Sequence, residues 1–133
     1  GLSPLANNLN SKKDTKSELY PLDLNFCKKC SNSQLSIVVP PEKMFSNYFY
    51  LSSTSNLFRN HFAQIAKELK ADLKLSDKTL VIDIGSNDGI FIEPLKKLGI
   101  KAVGVEPAKN VAKIANSNGF ETLSEYFDNK EIN

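Results

Sequence analysis

The chain has 133 residues, which is enough for one ordinary domain or for a small unit attached to one. Hydrophobic residues make up 41% and charged residues 24%, as in globular proteins, and the net charge of +2 provides no concentrated basic surface for nucleic acid. No apolar run approaches the roughly 18 residues of a membrane span, and the first ten residues lack the layout of a secretion signal. We therefore expect a cytoplasmic protein that binds neither nucleic acid nor membrane.

The first 51 residues are predicted to form a small, irregular, β-rich unit, because short apolar clusters alternate with Ser, Asn, Pro and Lys. The two cysteines of the chain, Cys27 and Cys30, lie here as a Cys-x-x-Cys pair. In a cytosolic chain this spacing is typical of metal binding or redox chemistry rather than of a structural disulfide.

Residues 52–76 predict a linking helix. Four consecutive hydroxyl side chains, Ser52 to Ser55, offer candidate N-caps, and apolar residues then recur at the spacing of one helix face. The simplest interpretation of that face is core packing, and we interpret His61, the one histidine, as a helix residue at the boundary with solvent. The apolar positions are Phe58, Phe62, Ile65, Ala66, Leu69 and Leu73.

Residues 77–133 predict the opening β-α-β-α of a Rossmann-like parallel sheet, so the fold class is α/β. The expected elements are a strand at 79–84, a helix at 91–98, a strand at 102–105, a helix at 109–118 and the start of a third strand at 120–123. Pro94 would delete a backbone hydrogen bond inside the first of these helices, so we expect either a helix start nearer Ile92 or a distorted first turn.

The glycine loop Gly85–Gly89 between the first strand and the first helix is typical of a nucleotide site. Glycines let the backbone approach a ligand, and an acidic residue at the end of the next strand can bind ribose hydroxyls. Glu106 occupies that position, 17 residues after Gly89. The simpler alternative is that Gly85 and Gly89 are plain turn residues and that Asp88 caps a helix.

Charge favours S-adenosylmethionine over NAD as the nucleotide. A dinucleotide site needs Gly-x-Gly-x-x-Gly and a helix terminus free for pyrophosphate, whereas Asp88 would place a carboxylate there. S-adenosylmethionine has no phosphate and carries a sulfonium and an ammonium group, which suit Asp83 and Asp88. The candidate cofactor-binding residues are Asp83, Gly85, Ser86, Asn87, Asp88, Gly89, Glu106 and Pro107.

Several phrases of the chain together resemble the C-methyltransferases that act on nucleotide-linked deoxysugars, and the resemblance covers essentially the whole sequence. The phrases are Leu2–Asn7, Tyr20–Leu24, the Cys27/Cys30 pair, Gln34–Leu35, Phe45–Ser53, Val81–Gly89 and Gly104–Ala108. The resemblance implies a zinc-binding domain, a Rossmann-like domain of the class I methyltransferase type and a C-terminal domain. It also implies that Tyr48 and Tyr50 line the sugar or cofactor pocket.

The same resemblance implies a zinc site of two Cys-x-x-Cys pairs, of which Cys27 and Cys30 supply one. We accordingly expect an inactive fragment that lacks the other cysteine pair. The resemblance implies that the catalytic residues of the whole enzyme lie beyond Asn133. Such a fragment would expose an apolar sheet edge and self-associate. Two alternatives stay open: part of an NAD-dependent oxidoreductase, and a non-enzymatic interaction module stabilised by zinc.

Overall fold

The computed structural model describes residues 1–6 and 16–128. Contacts within the chain divide it into two compact units, Gly1–Phe45 and Ser46–Asn133. The helix predicted between the N-terminal unit and the sheet belongs to the second of these units. None of the helices in the described ranges is both long enough and apolar enough to cross a membrane.

The first unit consists of two small antiparallel sheets and one short helix. Strand β1 (Leu2–Ser3) pairs with β2 (Tyr20–Pro21), β3 (Leu24–Phe26) pairs with β4 (Ser33–Leu35), and helix α1 spans Pro41–Phe45. No residue of this unit is buried within the part that the structure describes. A unit of this size without a hydrophobic core generally needs a disulfide, a metal or a partner to fold stably.

The second unit begins its regular structure with helix α2, which spans Asn56–Asp72. The predicted helix started earlier, but Ser52–Thr54 form a separate 3-10 turn, and Ser55 is the residue that caps α2. Its Oγ accepts the Phe58 N–H at 3.4 Å. The predicted apolar face is only partly buried: Ala66 is fully buried, whereas Phe58 and Leu73 are exposed.

A three-stranded parallel sheet follows, which confirms the predicted α/β class. Its elements in chain order are β5 (Leu80–Ile84), α3 (Ile92–Lys97), β6 (Lys101–Val105), α4 (Lys109–Ser117) and β7 (Thr122–Leu123). The strand order is β5-β6-β7, and the register aligns Leu80 with Lys101 and Ile84 with Val105. Both strands therefore end at one edge of the sheet, where the loops after β5 and β6 meet.

The hydrophobic core lies on one face of this sheet. Ala66 from α2 packs there with Ile92 and Leu95 from α3 and with Ala102 from β6. Helix α3 begins at Ile92, which is the first of the two arrangements expected from Pro94, so the proline sits in the first turn, where an N–H has no helical partner to lose.

The alternate residues of β5 form an exposed apolar row on the other side of the strand. Leu80, Ile82 and Ile84 are 57%, 49% and 57% exposed. In the described sheet β5 is also an edge strand, so apolar surface and unpaired backbone groups occur together.

We expect the chain to self-associate through this row. Ile82→Lys, which places a charge at the centre of the row, should shift the mass measured by sedimentation velocity toward the 14.8 kDa of a single chain. Val38→Lys is the control, because it adds the same charge at an apolar side chain that is 90% exposed and lies outside the sheet. A wild-type chain that stays monomeric at high concentration would contradict the expectation.

Candidate functional site

The loop after β5 needs left-handed backbone at three positions. Gly85 has φ +75°, Asn87 has φ +50° and Gly89 has φ +85°. A Cβ added at Gly85 would meet no atom within 4 Å, so the space beside this glycine is open. At Gly89 a Cβ would collide with the ring of Phe120, so this glycine allows close packing inside the protein.

The backbone N–H groups of this loop are directed into the protein. Four of the five in Gly85–Gly89 donate to internal acceptors, so they form no cradle for a phosphate group. The bonds are Gly85 N–H and Ser86 N–H to Val105 O (2.8 and 3.3 Å), Asn87 N–H to Glu106 Oε2 (2.9 Å) and Gly89 N–H to Ser86 O (3.0 Å).

Glu106 ties the two loops at the carboxyl edge together. It follows β6 directly, is 7% exposed, and its Oε2 accepts the Asn87 N–H while its Oε1 accepts the Ala108 N–H at 2.8 Å. Pro107 lies between these bonds and is half-buried. A carboxylate has about four acceptor directions, so Glu106 keeps capacity for further donors such as ribose hydroxyls.

Asp83 is half-buried near the end of β5. Burial, with a smaller contribution from the negative charge of Glu106, raises the pKa of its carboxyl above the usual value. Because the charge of Glu106 affects the pKa of Asp83, the two carboxyl groups lie within electrostatic range of each other. A cation placed there would relieve both the loss of hydration and the repulsion.

Asn87 and Asp88 direct their side chains to the segment that precedes α2. Asn87 Oδ1 accepts the Ser52 N–H at 2.9 Å, and its Nδ2 donates to Tyr50 O at 3.1 Å. Asp88 is 3% exposed, and its Oδ2 accepts the Ser53 N–H at 3.1 Å. The predicted contacts of Asn87 and Asp88 with a cofactor stay predictions.

Two buried polar atoms of the loop have no hydrogen-bond partner among the described residues: Ser86 Oγ and Asp88 Oδ1. Ser86 lies against Gly104 of β6, where a Cβ would collide with the serine hydroxyl. Asp88 borders a cleft of about 340 Å³. The other residues around this cleft are Ser53, Arg59, Ile90, Glu93, Asn118 and Phe120.

Tyr48 and Tyr50 are anchored beside the loop through their backbone groups. Tyr48 exchanges two hydrogen bonds with the side chain of Asn110, in the first turn of α4, and Tyr50 is bonded to Asn87 as described above. Tyr50 is 50% exposed and Tyr48 is half-buried. Their role in lining a pocket stays a prediction. No motif or spacing in the sequence indicated that Asn110 would hold Tyr48.

Cys27 and Cys30 lie at the turn of the β3–β4 hairpin, where both are exposed and not joined in a disulfide. N–H groups of Cys30 and then Lys29, together with the Cys30 side chain, hold the pKa of the Cys27 thiol below its usual range. A thiolate stabilised by backbone N–H groups is suited to bind zinc. In the described part of the chain no cluster of three or more His, Cys, Asp or Glu completes such a site.

His61 is exposed on α2, and its ring packs edge-on against Phe62 with centroids 5.8 Å apart.

A second cleft of about 360 Å³ lies at the other end of the strands, beside Leu80 and Lys101 where β5 and β6 begin. Ligands of open α/β sheets bind at the carboxyl ends of the strands, so this second cleft is not our candidate site.

The raised pKa of Asp83 predicts a stability that depends on pH. In the folded chain this pKa lies above its unfolded value, so ionisation of Asp83 lowers the free energy of unfolding as pH rises. We expect Asp83→Asn to be more stable than wild type at neutral pH, with the difference shrinking toward about pH 4. Urea unfolding at both pH values measures this.

Asp77→Asn is the matched control, because it makes the same change of charge at an exposed position before β5. A loss of stability in Asp83→Asn at neutral pH, or a difference from wild type that does not change with pH, would contradict the account of Asp83.

Parts of this chain are similar to known proteins. Residues 1–45 match the family model described as "Putative zinc binding domain". C-methyltransferase NovU of Streptomyces niveus is 34% identical over 125 residues, which cover 92% of this chain and 30% of that protein. A SAM dependent methyltransferase from Archaeoglobus fulgidus has 24% identity over 52% of this chain and 33% of its own, with a TM-score of 0.36. The chain spans less than a third of the length of NovU, and over that part it is similar in sequence to this C-methyltransferase.

Proposed function

We propose that this chain is part of an S-adenosylmethionine-dependent C-methyltransferase and carries part of its cofactor site. The observation that supports this most directly concerns the loop after β5. Four of its five N–H groups donate hydrogen bonds within the chain, and the carboxylates of Asp83 and Glu106 lie beside it. Such a site disfavours a phosphate and suits a cofactor that carries positive charge and ribose hydroxyls.

The described residues fit this cofactor in chemistry and in space. Glu106 offers remaining acceptor capacity to ribose hydroxyls, and Asp83 offers a carboxylate, directly or through water, to an ammonium group. The open space beside Gly85 allows the ligand to approach the backbone. When bound, S-adenosylmethionine supplies an electrophilic methyl group, while this chain's own residues bind and orient the cofactor.

A nucleotide-linked deoxysugar is the substrate we propose for the whole enzyme, on the strength of the sequence resemblance. The resemblance implies that the whole enzyme uses a base to remove a proton from a sugar carbon beside a carbonyl group before the methyl transfer. We assign no such base among the described residues of the carboxyl edge, and His61 lies exposed on α2. We therefore propose that this chain alone binds the cofactor without completing a reaction.

We also propose that Cys27 and Cys30 supply two of four zinc ligands. The absence of buried residues from the described part of the first unit supports this, because a metal then provides folding free energy that a core does not. The hairpin turn, with N–H groups directed at Cys27, has the electrostatics that a thiolate ligand needs.

The two alternatives differ from this proposal in what the chain should bind. An NAD-dependent oxidoreductase should bind NADH, which the internal bonding of the loop amides and the nearby carboxylates disfavour. An interaction module stabilised by zinc should bind neither nucleotide, and nothing in its function would require Asp83 or the open space beside Gly85.

Calorimetric titration of the chain with S-adenosylhomocysteine and with NADH tests the proposal. We expect saturable binding of the first ligand only, and about tenfold weaker binding in Asp83→Asn, because one charge-assisted contact is lost. Asp77→Asn should bind like wild type. Binding of NADH, or silence with both ligands from a folded chain, would contradict the proposal.

A further inference from the structure

The segment Tyr48–Ser53, which we name the aromatic strap, is hydrogen-bonded both to the loop after β5 and to the first turn of α4. Its first residue is held by Asn110 of α4: the Tyr48 N–H donates to Asn110 Oδ1 at 3.0 Å, and Asn110 Nδ2 donates to Tyr48 O at 2.6 Å. One side-chain amide thus satisfies both backbone groups of Tyr48, as a neighbouring strand would.

The middle of the strap is held in the same way by Asn87. Its Oδ1 accepts the Ser52 N–H and its Nδ2 donates to Tyr50 O. The residue adopts a left-handed backbone with φ +50°, which asparagine tolerates better than most residues. Both ends of the Asn87 amide are thus engaged by the strap.

The last residue of the strap has two further anchors. Asp88 Oδ2 accepts the Ser53 N–H at 3.1 Å, and Arg59 Nε donates to Ser53 O at 2.6 Å. Every anchor uses the strap backbone, which leaves its side chains available. Phe49 is 71% exposed and Tyr50 is 50% exposed, although aromatic side chains of this size usually lie buried.

We infer that Asn87 and Asn110 are positioning residues, which hold the aromatic strap as one wall of the cofactor crevice. This inference rests on the proposed function. A strap that is already ordered costs no conformational entropy when the ligand binds, whereas a released strap must be ordered at that moment. Asn87 and Asn110 therefore raise cofactor affinity through the strap and not through a contact of their own.

Two variants remove the anchors with little damage to the surrounding backbone. Asn87→Gly keeps the N–H that donates to Glu106 and accepts the left-handed φ without strain. Asn110→Ala places the best helix former in the first turn of α4. Lys113→Ala is the control, because it truncates an exposed side chain later in the same helix.

The first readout is amide hydrogen exchange without ligand. The Tyr48 amide should exchange faster in Asn110→Ala, and the Ser52 amide should exchange faster in Asn87→Gly, while melting temperatures stay close to wild type. In wild type, S-adenosylhomocysteine should slow exchange of both amides further. Unchanged exchange in both variants would overturn the inference.

The second readout is affinity for S-adenosylhomocysteine at a temperature where every variant is folded. We expect the dissociation constant to rise by about five- to tenfold in each anchor variant and to be unchanged in Lys113→Ala. Wild-type binding with the same affinity in both anchor variants would overturn the positioning role and leave the proposed function standing. A folded wild-type chain that does not bind would overturn the proposed function, and this inference with it.

Discussion

The carboxylate of Glu106 is the group on which the arrangement of the carboxyl edge depends. It accepts N–H bonds from Asn87 and Ala108, and so fixes the loop after β5 to the loop after β6. Without it, the part-buried Asn87 N–H and the buried Ala108 N–H would lose charge-assisted partners, at a cost of about 1–3 kcal/mol for a buried group. Glu106 thereby helps to hold Asn87, whose side chain accepts the Ser52 N–H and donates to Tyr50 O in the strap.

Burial raises the pKa of the half-buried Asp83, and the negative charge of Glu106 adds to this effect, so the two together set the chemical preference of the site. Two carboxylates in one region make a binding surface that is unfavourable while empty and favourable for a cationic ligand. The chain thus carries an electrostatic cost at its carboxyl edge that the S-adenosylmethionine class of cofactor would offset. The first unit would depend on a bound metal in a comparable way. Its described part has no hydrophobic core, and its two cysteine side chains lie exposed.

The sequence was sufficient to predict the elements that local patterns determine. The β-branched run of β5 and Glu106 at the end of β6 follow from the sequence pattern, and the helix start at Ile92 is one of the two ways in which Pro94 could be accommodated. The exposure of Phe58 and Leu73 was not predicted, because periodicity shows which face of a helix is apolar but not what covers it. Asn110 could not be predicted either: its partner Tyr48 lies 62 residues away, and an exposed asparagine in a helix carries no pattern.

The most direct test of a cofactor crevice around Glu106 is an NMR titration of the ¹⁵N-labelled chain with S-adenosylhomocysteine. We predict that the amide resonances of Gly85, Asn87 and Ala108 shift with one common saturation curve, because these residues surround the carboxyl edge. The amides of Gly99 and Lys101, at the opposite end of the strands, should stay unchanged. Shifts confined to Gly99 and Lys101, or no saturable shift at the carboxyl edge, would contradict the account.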